Sequence, residues 1–439
     1  MKFPKIIKMK LPFLLRYSLL LACLLSTFII QAQNKIKSYV GSELKTIQSI
    51  NPDSVNFDDM QYIGEAIGNS RIVMLGEQAH GDGATYLAKS RLIKYLHEKK
   101  GFTVLAFESD LFALTTGWET LHKDKKSIQQ FFRNNLYPIW SSCQQCSDLL
   151  YSYIPITYAG NSPLKIAGID NQFHGRYTAD SMRSFIDMAL KKHKISYSRT
   201  REYDTFFLPF LDTISKLNYQ KRTFLDSLSR SNFSDEYTKF DLALNQIISE
   251  MPQDSSAYFP DLILQNYKVI NQVLRFYAKD TLRDIRDERM GNNLIWLAER
   301  KYPNEKIIVW AADRHIMKNA REMISRKNLR IQSMGNLFIN NKNLEKQTYI
   351  IGFTSAYGTT GRAGTGKTND VRLPKSGFET WIKENVKYGF IDFRKFNILN
   401  AKYTKDFKLK ALGHGSIPGK WTNVFDGIFY IREMTPCTL

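Results

Sequence analysis

Five short and almost wholly apolar segments are spaced along the chain. They cover residues 71–76, 102–107, 164–169, 306–311 and 348–353. A strand with one wet face alternates apolar and polar residues, whereas a strand covered on both faces is apolar throughout. Residues 86–100, between the first two segments, carry apolar side chains at helical spacing. Strand, helix and strand in this order predict a βαβ unit and a mainly parallel sheet.

Residues 178–300 follow a different pattern. Apolar residues recur there at helical spacing, and no strand-like segment interrupts them. Helices are predicted over residues 180–192, 203–217 and 262–277. A last strand is predicted within residues 423–432. We therefore predict an α/β fold of three layers, α/β/α, in which residues 33–177 and 301–439 share one mainly parallel sheet and residues 178–300 form a large helical insertion.

The first 32 residues have the pattern of an export signal. Five cations precede an apolar run at residues 17–30, and this run is shorter than the about 20 residues that a membrane-spanning helix needs. A positive start, a short apolar run and a small residue at the exit are typical of a cleaved signal peptide. We predict cleavage near Ala32 and a periplasmic or secreted protein. The alternative is a lipoprotein anchored through Cys23, which ends a Leu-Leu-Ala-Cys sequence.

The net charge of +20 predicts a basic surface. An anionic substrate or an anionic cell envelope would also suit this charge. No basic stretch is interleaved with aromatic residues as in a known nucleic-acid-binding module, so no nucleic-acid partner is predicted. The hydrophobic fraction of 43% is enough for a packed core.

Cys143 and Cys146 have the spacing of a redox motif or of half a zinc site. A zinc site needs further ligands, and none lies at the usual spacing. In an oxidising compartment the expectation is a local disulfide between these two cysteines. Cys437 is assigned to the tail without a role.

Ionisable residues follow the first four apolar segments, at the point where each predicted strand ends. They are Glu77, His80, Glu108, Asp170, Asp313 and His315. In an open parallel α/β sheet, the ligand crevice lies outside the carboxyl ends of the strands. Any one of these side chains alone is explained by a helix cap or a solvated charge, but four separate segments delivering them to one edge predict one site.

Two glycines, Gly76 and Gly81, flank the first group and allow the sharp turn that would direct Glu77 and His80 into a crevice. A histidine beside carboxylates suits general-base catalysis, because a carboxylate fixes the tautomer and stabilises the imidazolium that forms. His174 is a further candidate for the crevice. The simpler alternative is a His–Glu pair that only pins the loop.

Several of these segments together resemble the erythromycin esterase family. The matching segments, in order, are Gly76-Glu77-Gln78-Ala79-His80-Gly81, Phe107-Glu108-Ser109-Asp110, Gly168-Ile169-Asp170, residues 286–293 (RDERMGNN), Trp310-Ala311-Ala312-Asp313-Arg314-His315 and residues 425–430 (FDGIFY). The resemblance implies a hydrolase that opens a macrolactone ester with water. It also implies His80 as general base, Glu77 and Glu108 as acidic partners, and a catalytic position for His315.

The chain departs from the family pattern at two positions of the W-x-H-N-x-H segment. Ala312 stands where its first histidine is expected, and Asp313 replaces its asparagine. Lys89 falls where macrolide esterases tend to place an arginine. We expect Lys89, Asp313, Asp170 and Arg286 to bind the substrate, a small-molecule ester or lactone.

Residues 361–368 (GRAGTGKT) match the P-loop pattern letter by letter. That motif works only when a strand feeds it and a helix follows, so that backbone amides and the helix end hold phosphate. The residues after Thr368 are a poor helix start and soon reach Pro374. No nucleotide partner is therefore predicted.

Two alternatives to a cofactor-free hydrolase remain open. The first is a metal-dependent hydrolase, since Glu77, His80, Glu108 and His315 are residue types that zinc or manganese accepts. The second is a non-catalytic, envelope-associated binding protein with the same crevice, which Ala312 favours. The sequence carries no signal for oligomeric state.

Overall fold

The computed structural model describes residues 35–216, 234–275, 282–320, 332–403 and 405–439. The predicted leader and its two candidate processing sites lie outside this part. Within it, every helix is too short or too polar to cross a membrane.

One large sheet and one hairpin contain the described strands. The strands are β1 (Lys45–Ile47), β2 (Ile72–Leu75), β3 (Val104–Asp110), β4 (Lys165–Asp170), β5 (Ile307–Trp310), β6 (Thr348–Thr360), β7 (Asn369–Val371), β8 (Tyr388–Asp392), β9 (Phe407–Leu412), β10 (Gly415–Gly419) and β11 (Gly427–Met434). The large sheet has the order β1-β8-β11-β6-β2-β5-β3-β4, with β7 paired to β6. Its six strands from β11 to β4 are parallel. Strand β8 runs antiparallel to both β11 and β1, β7 runs antiparallel to β6, and β9 and β10 form a separate antiparallel pair.

The six predicted strands are confirmed as these six parallel strands. Five further strands, β1 and β7 to β10, were not predicted. The reason is physical: they are short or lie where one side is wet, so they lack the continuous apolar runs of strands buried on both faces.

Helices cover both faces of the sheet. The longer ones are α1 (residues 35–43), α2 (Gln61–Ile67), α3 (Gly83–Lys100), α4 (Lys125–Asn135), α5 (Arg176–Lys192), α6 (Leu208–Lys216), α7 (Ser234–Glu250), α8 (Tyr258–Arg275), α9 (Leu282–Trp296), α10 (Met334–Asn340) and α11 (Phe393–Asn400). Short helical turns include Trp118–Thr120, Pro138–Ser141, Gln144–Ser147, Ile154–Thr157, Asp313–Ile316, Lys342–Lys346 and Trp421–Val424.

Alternate residues of each central strand point to opposite cores, which confirms an α/β fold with both sheet faces covered. In β2, Val73 and Leu75 join the core that includes Leu92 of α3, whereas Ile72 and Met74 join the core on the other face. Helix α9 packs on that second face. All four strand residues are fully buried. Helices cover both faces of the sheet, so a ligand crevice is expected at the carboxyl ends of the parallel strands, which we call the carboxyl edge.

The described part of residues 178–300 contains helices and turns but no strand. Helices α5 to α8 form a third core around Leu211, Phe240 and Tyr267. Phe112 and Phe173, which follow β3 and β4 directly, also belong to this core. The helical layer therefore packs onto the carboxyl edge of the sheet. The predicted helices at residues 203–217 and 262–277 extend into residues that are not described.

The disulfide prediction is wrong. Cys143 is bonded to Cys437, with 5.6 Å between their Cα atoms, and Cys146 is a free, buried thiol. The end of the chain returns to this region, since the Thr438 carbonyl oxygen accepts a hydrogen bond from the Gln144 N–H. A contact between residues 294 positions apart has no local sequence signal.

The P-loop-like residues 361–368 connect β6 to β7 in an antiparallel hairpin. A strand follows them where a P-loop has a helix. Their first residue packs on the loop after β2, where the Gly361 N–H lies 3.3 Å from the Gly81 carbonyl oxygen.

Candidate active site

His80 and Glu77 form a close pair at the carboxyl end of β2. His80 Nδ1 lies 2.6 Å from Glu77 Oε1, so the imidazole donates its Nδ1 proton to the carboxylate. The Glu77 side chain is fully buried, whereas 22% of the His80 side chain is exposed. Glu77 is therefore fixed inside the protein, whereas part of the His80 ring is accessible to solvent.

Two further donors bind the other carboxylate oxygen of Glu77. Lys89 Nζ and Trp310 Nε1 lie 3.0 and 3.1 Å from Glu77 Oε2. Burial alone would raise the pKa of Glu77, but the Lys89 ammonium and the bond from His80 outweigh it and hold this pKa below its usual value. The carboxylate is thus ionised and fixed in orientation.

The turn that carries the pair depends on glycine at both ends. A Cβ atom at Gly76 would overlap the carboxylate of Asp313. Gly81 has φ +112°, a conformation that residues with a Cβ rarely adopt. Gly81 therefore has the turn role that the sequence predicted, whereas Gly76 does not have a positive φ and is needed for the close approach of Asp313.

A second cluster surrounds Glu108 at the carboxyl end of β3. Its Oε1 lies 3.0 Å from His315 Nε2 and 3.1 Å from Arg286 Nη2, and its Oε2 accepts a hydrogen bond of 2.9 Å from the Ala312 N–H. Burial opposes ionisation of Glu108, but the charges of His315, His80 and Arg286 outweigh it and hold its pKa well below the usual value. The Asp313 N–H donates to the Glu77 carbonyl oxygen at 2.9 Å, so the adjacent residues Ala312 and Asp313 join the two clusters into one site.

His315 lies between two carboxylates. Its Nδ1 is 2.7 Å from Asp287 Oδ1, and its Nε2 faces Glu108. Burial would lower the pKa of His315, but Asp287 and Glu108 outweigh it and raise this pKa to about 10. His315 is therefore an imidazolium near neutral pH, and both ring nitrogens act as donors.

Arg286 reaches the sheet edge from α9. Its Nε and Nη2 bind the two oxygens of Asp170 at 3.1 and 2.5 Å, and Nη2 also reaches Glu108. Asp170 is fully buried, while 21% of the Arg286 side chain is exposed. Such a two-pronged pair fixes the plane of the guanidinium. The Nη1 atom lies 3.5 Å from His315 Nε2, which is itself a donor when protonated.

Asp313 and Lys89, two of the predicted substrate-binding residues, are buried inside the protein. Asp313 is fully buried and accepts hydrogen bonds from the Phe353 N–H, and burial raises its pKa well above the usual value. Lys89 is fully buried and contacts Glu77 and the Trp310 ring, whose centroid is 4.2 Å from Nζ. In this structure their functional groups contact protein partners, as does that of Asp170, which is also fully buried, and direct contact with a substrate stays a prediction for all three.

The structure brings together Glu77, His80, Glu108, Asp170, Arg286 and His315, as predicted from the strand ends and from the motif that holds Arg286. Sequence reasoning missed Asp287, Trp310 and Trp140. Asp287 follows Arg286 directly in the RDERM segment, so that motif contained a usable signal. Trp140, whose ring centroid lies 5.8 Å from that of His80, comes from a distant turn and had none.

His174, the further candidate, lies beside the site. Its ring stacks on Tyr137 with centroids 3.6 Å apart, and its Nε2 is 3.4 Å from Ser109 Oγ. Burial lowers the pKa of His174, so the ring favours the neutral form. It forms part of the wall rather than of either acid–histidine cluster.

The described ranges contain several contacts between histidines and carboxylates. No group of three or more His, Cys, Asp or Glu side chains in these ranges is arranged to hold a metal ion. In this arrangement the histidines and carboxylates of the site hold one another, Lys89 and Arg286.

Comparison with known proteins adds a family and a fold. A family model described as Erythromycin esterase matches residues 97–433, well over half of the chain. This match begins after Glu77 and His80. YbfO of Bacillus subtilis (strain 168), whose name describes it as a hydrolase, is 24% identical over 433 residues, which cover 89% of this chain and 90% of YbfO.

Two solved structures have the same fold. A succinoglycan biosynthesis protein is 18% identical with a TM-score of 0.70, and the match covers 92% of this chain and 98% of that one. A mutant of the erythromycin esterase EreC in its open conformation is 16% identical with a TM-score of 0.53, and the match covers 90% and 98%. At such identities these structures support the fold alone.

Proposed function

The chain belongs to the erythromycin esterase family, and from this membership we propose that it is a hydrolase that uses water to cleave an ester or lactone bond of a small molecule. Family membership and the hydrolase name of YbfO support the general class. The His80–Glu77 geometry is the observation that carries the finer proposal.

In the proposed mechanism, His80 is the general base. Its Nδ1 is engaged by Glu77 at 2.6 Å, so the proton of an attacking water is taken by Nε2. Glu77 keeps the neutral tautomer in place and stabilises the imidazolium. The oxygen of the water bonds to the carbonyl carbon, and the ester C–O bond then breaks. His80 returns the proton to the leaving alkoxide, so the products are a carboxylic acid and an alcohol.

The cluster around Glu108 supplies positive charge for the carbonyl oxygen of the ester. Arg286 and the His315 imidazolium are partly accessible, at 21% and 11% of their side chains. We place the carbonyl oxygen of the substrate near Arg286 Nη1, because Nη2 and Nε are already bound to carboxylates. Fixed donors aimed at an oxygen that gains charge stabilise the transition state. Glu108, Asp170 and Asp287 act as positioning residues for these two cations.

We also propose that the protein is exported. The leader pattern supports this, and so does a disulfide, which persists in oxidising compartments. The mass of the amino-terminal peptide, measured on protein from both the soluble and the membrane fractions, distinguishes cleavage near Ala32 from lipidation at Cys23.

The test is hydrolysis of a substrate panel by the wild type and by His80→Ala. The panel contains short esters, macrolactones and acylated oligosaccharides, the last because one structural neighbour is described as a succinoglycan biosynthesis protein. Loss of the base should lower kcat by about 10²–10⁴-fold on any substrate that is turned over. His122→Gln, an exposed histidine far along the chain from the motif, is the matched control. Equal turnover by wild type and His80→Ala would contradict the general-base role.

A further inference from the structure

The last residues of the chain lie against the loop that carries His80. The Gly83 N–H donates to the Thr435 carbonyl oxygen at 2.8 Å, and the Cys437 N–H donates to the Gly81 carbonyl oxygen at 2.9 Å. Asp82 and Pro436 form an antiparallel β-bridge between these two bonds. Residues 435–438, which we call the strap, therefore pair with the backbone immediately after His80.

The strap also reaches the other wall of the crevice. Cys437 is bonded to Cys143, and the Thr438 N–H donates to Gln145 Oε1 at 3.0 Å. Cys143 lies in the turn that follows Trp140, and the Trp140 ring meets His80 edge-on. One covalent bond thus links the backbone beside His80 to the segment that packs on its ring.

The fit between strap and loop is too close for most side chains. A Cβ atom at Gly83 would overlap the Pro436 carbonyl oxygen, and one at Gly81 would lie 2.7 Å from the Gly361 carbonyl carbon. The Cys437 N–H is also 3.0 Å from the Gly361 carbonyl oxygen. The loop is therefore enclosed by the strap on one side and the β6–β7 hairpin on the other.

We propose that the strap is a positioning element for His80 and that the Cys143–Cys437 bond keeps it in place; this inference rests on the proposed function. Leu439, next to the strap, is 78% exposed, and a segment at the surface opens locally unless tertiary bonds hold it. Opening of the Cys143–Cys437 bond frees the strap, and the backbone from Gly81 to Gly83 then loses two partners. Misplacing a reacting group by about 1 Å can cost about 100-fold in rate.

The proposal predicts sensitivity to reduction. A dithiol reductant transfers two electrons and two protons to the bond, yielding the thiols of Cys143 and Cys437 and the cyclic disulfide of the reagent. Reoxidation in air, in which O₂ accepts the two electrons, should restore the bond and the activity. Cys146 remains a thiol throughout, so mass mapping of alkylated cysteines reports the state of the strap.

Two variants test the strap by independent routes. Cys437→Ser removes the covalent bond but keeps the backbone N–H. Gly83→Ala keeps both cysteines but forces the strap away from the loop. Phe396→Leu, a core change in α11, is the control for a general loss of stability. Helix α11 lies at the amino end of β11, since the Phe393 N–H donates to the Asp426 carbonyl oxygen just before β11 starts. The strap follows the carboxyl end of the same strand.

Hydrogen exchange and kinetics are then measured on the full chain. We expect amides of residues 81–83 to exchange about tenfold faster or more in Cys437→Ser and Gly83→Ala, since local opening rises when tertiary bonds are lost. On the best panel substrate, kcat should fall by about tenfold or more while KM changes little, as for a misplaced catalytic group. The reductant should reproduce this loss in the wild type and add nothing in Cys437→Ser.

Three results would overturn the proposal: unchanged exchange in both variants, an unchanged kcat in variants whose loop exchanges faster, or an equal fall of kcat in Phe396→Leu at equal loss of Tm. Mapping of a Cys143–Cys146 bond in the wild type would also overturn it. If no panel substrate is turned over, the proposed function fails, whereas the exchange measurements still decide whether the strap holds the loop.

Discussion

His80 and His315 both contact carboxylates, but the number of partners gives them different chemistry. His80 has one carboxylate at Nδ1 and a ring that is 22% exposed. His315 has carboxylates at both nitrogens, and its pKa is raised to about 10. An imidazolium near neutral pH cannot accept a proton from water. The proposed base role therefore falls to His80, and in the same proposal His315 acts as a fixed cation.

The stability contribution of His315 should depend on pH. Because its folded pKa of about 10 lies above the ordinary value of 6.5, its contribution is complete below pH 6.5 and is lost as pH rises towards 10. We therefore expect the free energy of unfolding of His315→Gln to be lower than that of the wild type near pH 6.5, by about 3–5 kcal/mol for the loss of one member of a buried charge pair. This difference should shrink as the pH rises towards 10. Urea unfolding across this range measures it.

The exposed His122, whose side chain is 86% accessible, is the matched control for this experiment. His122→Gln should change stability little at any pH, because exposed ion pairs contribute little. A His315→Gln deficit that stays constant across the range would contradict the assignment of a raised pKa.

At the residue scale, sequence position predicts which edge a side chain reaches but not its depth. Glu77, His80, Glu108 and His315 were predicted from the strand ends, and all four meet at the carboxyl edge. Asp313 comes from an equivalent position but turns under Gly76 into the core. Whether the residue after a strand points up or under depends on the next turn of the backbone, which the residue pattern does not encode.

At the element scale, the β2–α3 turn depends on the absence of one atom. Gly76 sits against Asp313, whose carboxylate is held by the Phe353 N–H and cannot move away cheaply. Gly76→Ala should destabilise the protein by about 1–3 kcal/mol or more, as overpacking does, and should also lower turnover by displacing Glu77. Denaturant unfolding and kcat measure the two effects.

Gly101 provides the comparison. It ends α3 with φ +71° and has open space where a Cβ would lie. Gly101→Ala should cost about 1–2 kcal/mol of backbone strain and leave kcat unchanged. A Gly76→Ala variant that behaves like Gly101→Ala would show that the turn tolerates a side chain.

The elements that were predicted are those with strong local patterns. Strands β2 to β6 and β11 are apolar on both faces, and the helices within residues 178–300 repeat apolar residues at helical spacing. The strand β8, with residues Tyr388–Asp392, lies beyond β11 and pairs antiparallel, and its short sequence has no such run. The Cys143–Cys437 bond was out of reach for a related reason, since its two cysteines are 294 positions apart and no local pattern links them.

At the scale of the whole molecule, the sheet and the helices of residues 178–300, which include α9, meet in the site. Arg286, on α9, spans Asp170 at the end of β4 and Glu108 at the end of β3. Both carboxylates are almost fully buried, so neither can be rehydrated if the guanidinium is lost. The cation that we assign to the substrate carbonyl therefore also joins the two layers, and function and folding should fail together.

Arg286→Gln tests this coupling. It leaves Asp170 and Glu108 buried with one cation fewer, which should cost about 3–5 kcal/mol, and it removes the proposed carbonyl donor, which should lower kcat by about 10²–10³-fold. Loosening the contact between layers should also let the helices of residues 178–300 exchange faster than the sheet strands in hydrogen exchange.

Arg176→Gln, which removes an exposed pair with Asp180 in the same helical layer, should change none of these. Loss of activity in Arg286→Gln with unchanged stability and uniform exchange would mean that Arg286 serves the reaction alone and that the layers are joined by their apolar contacts.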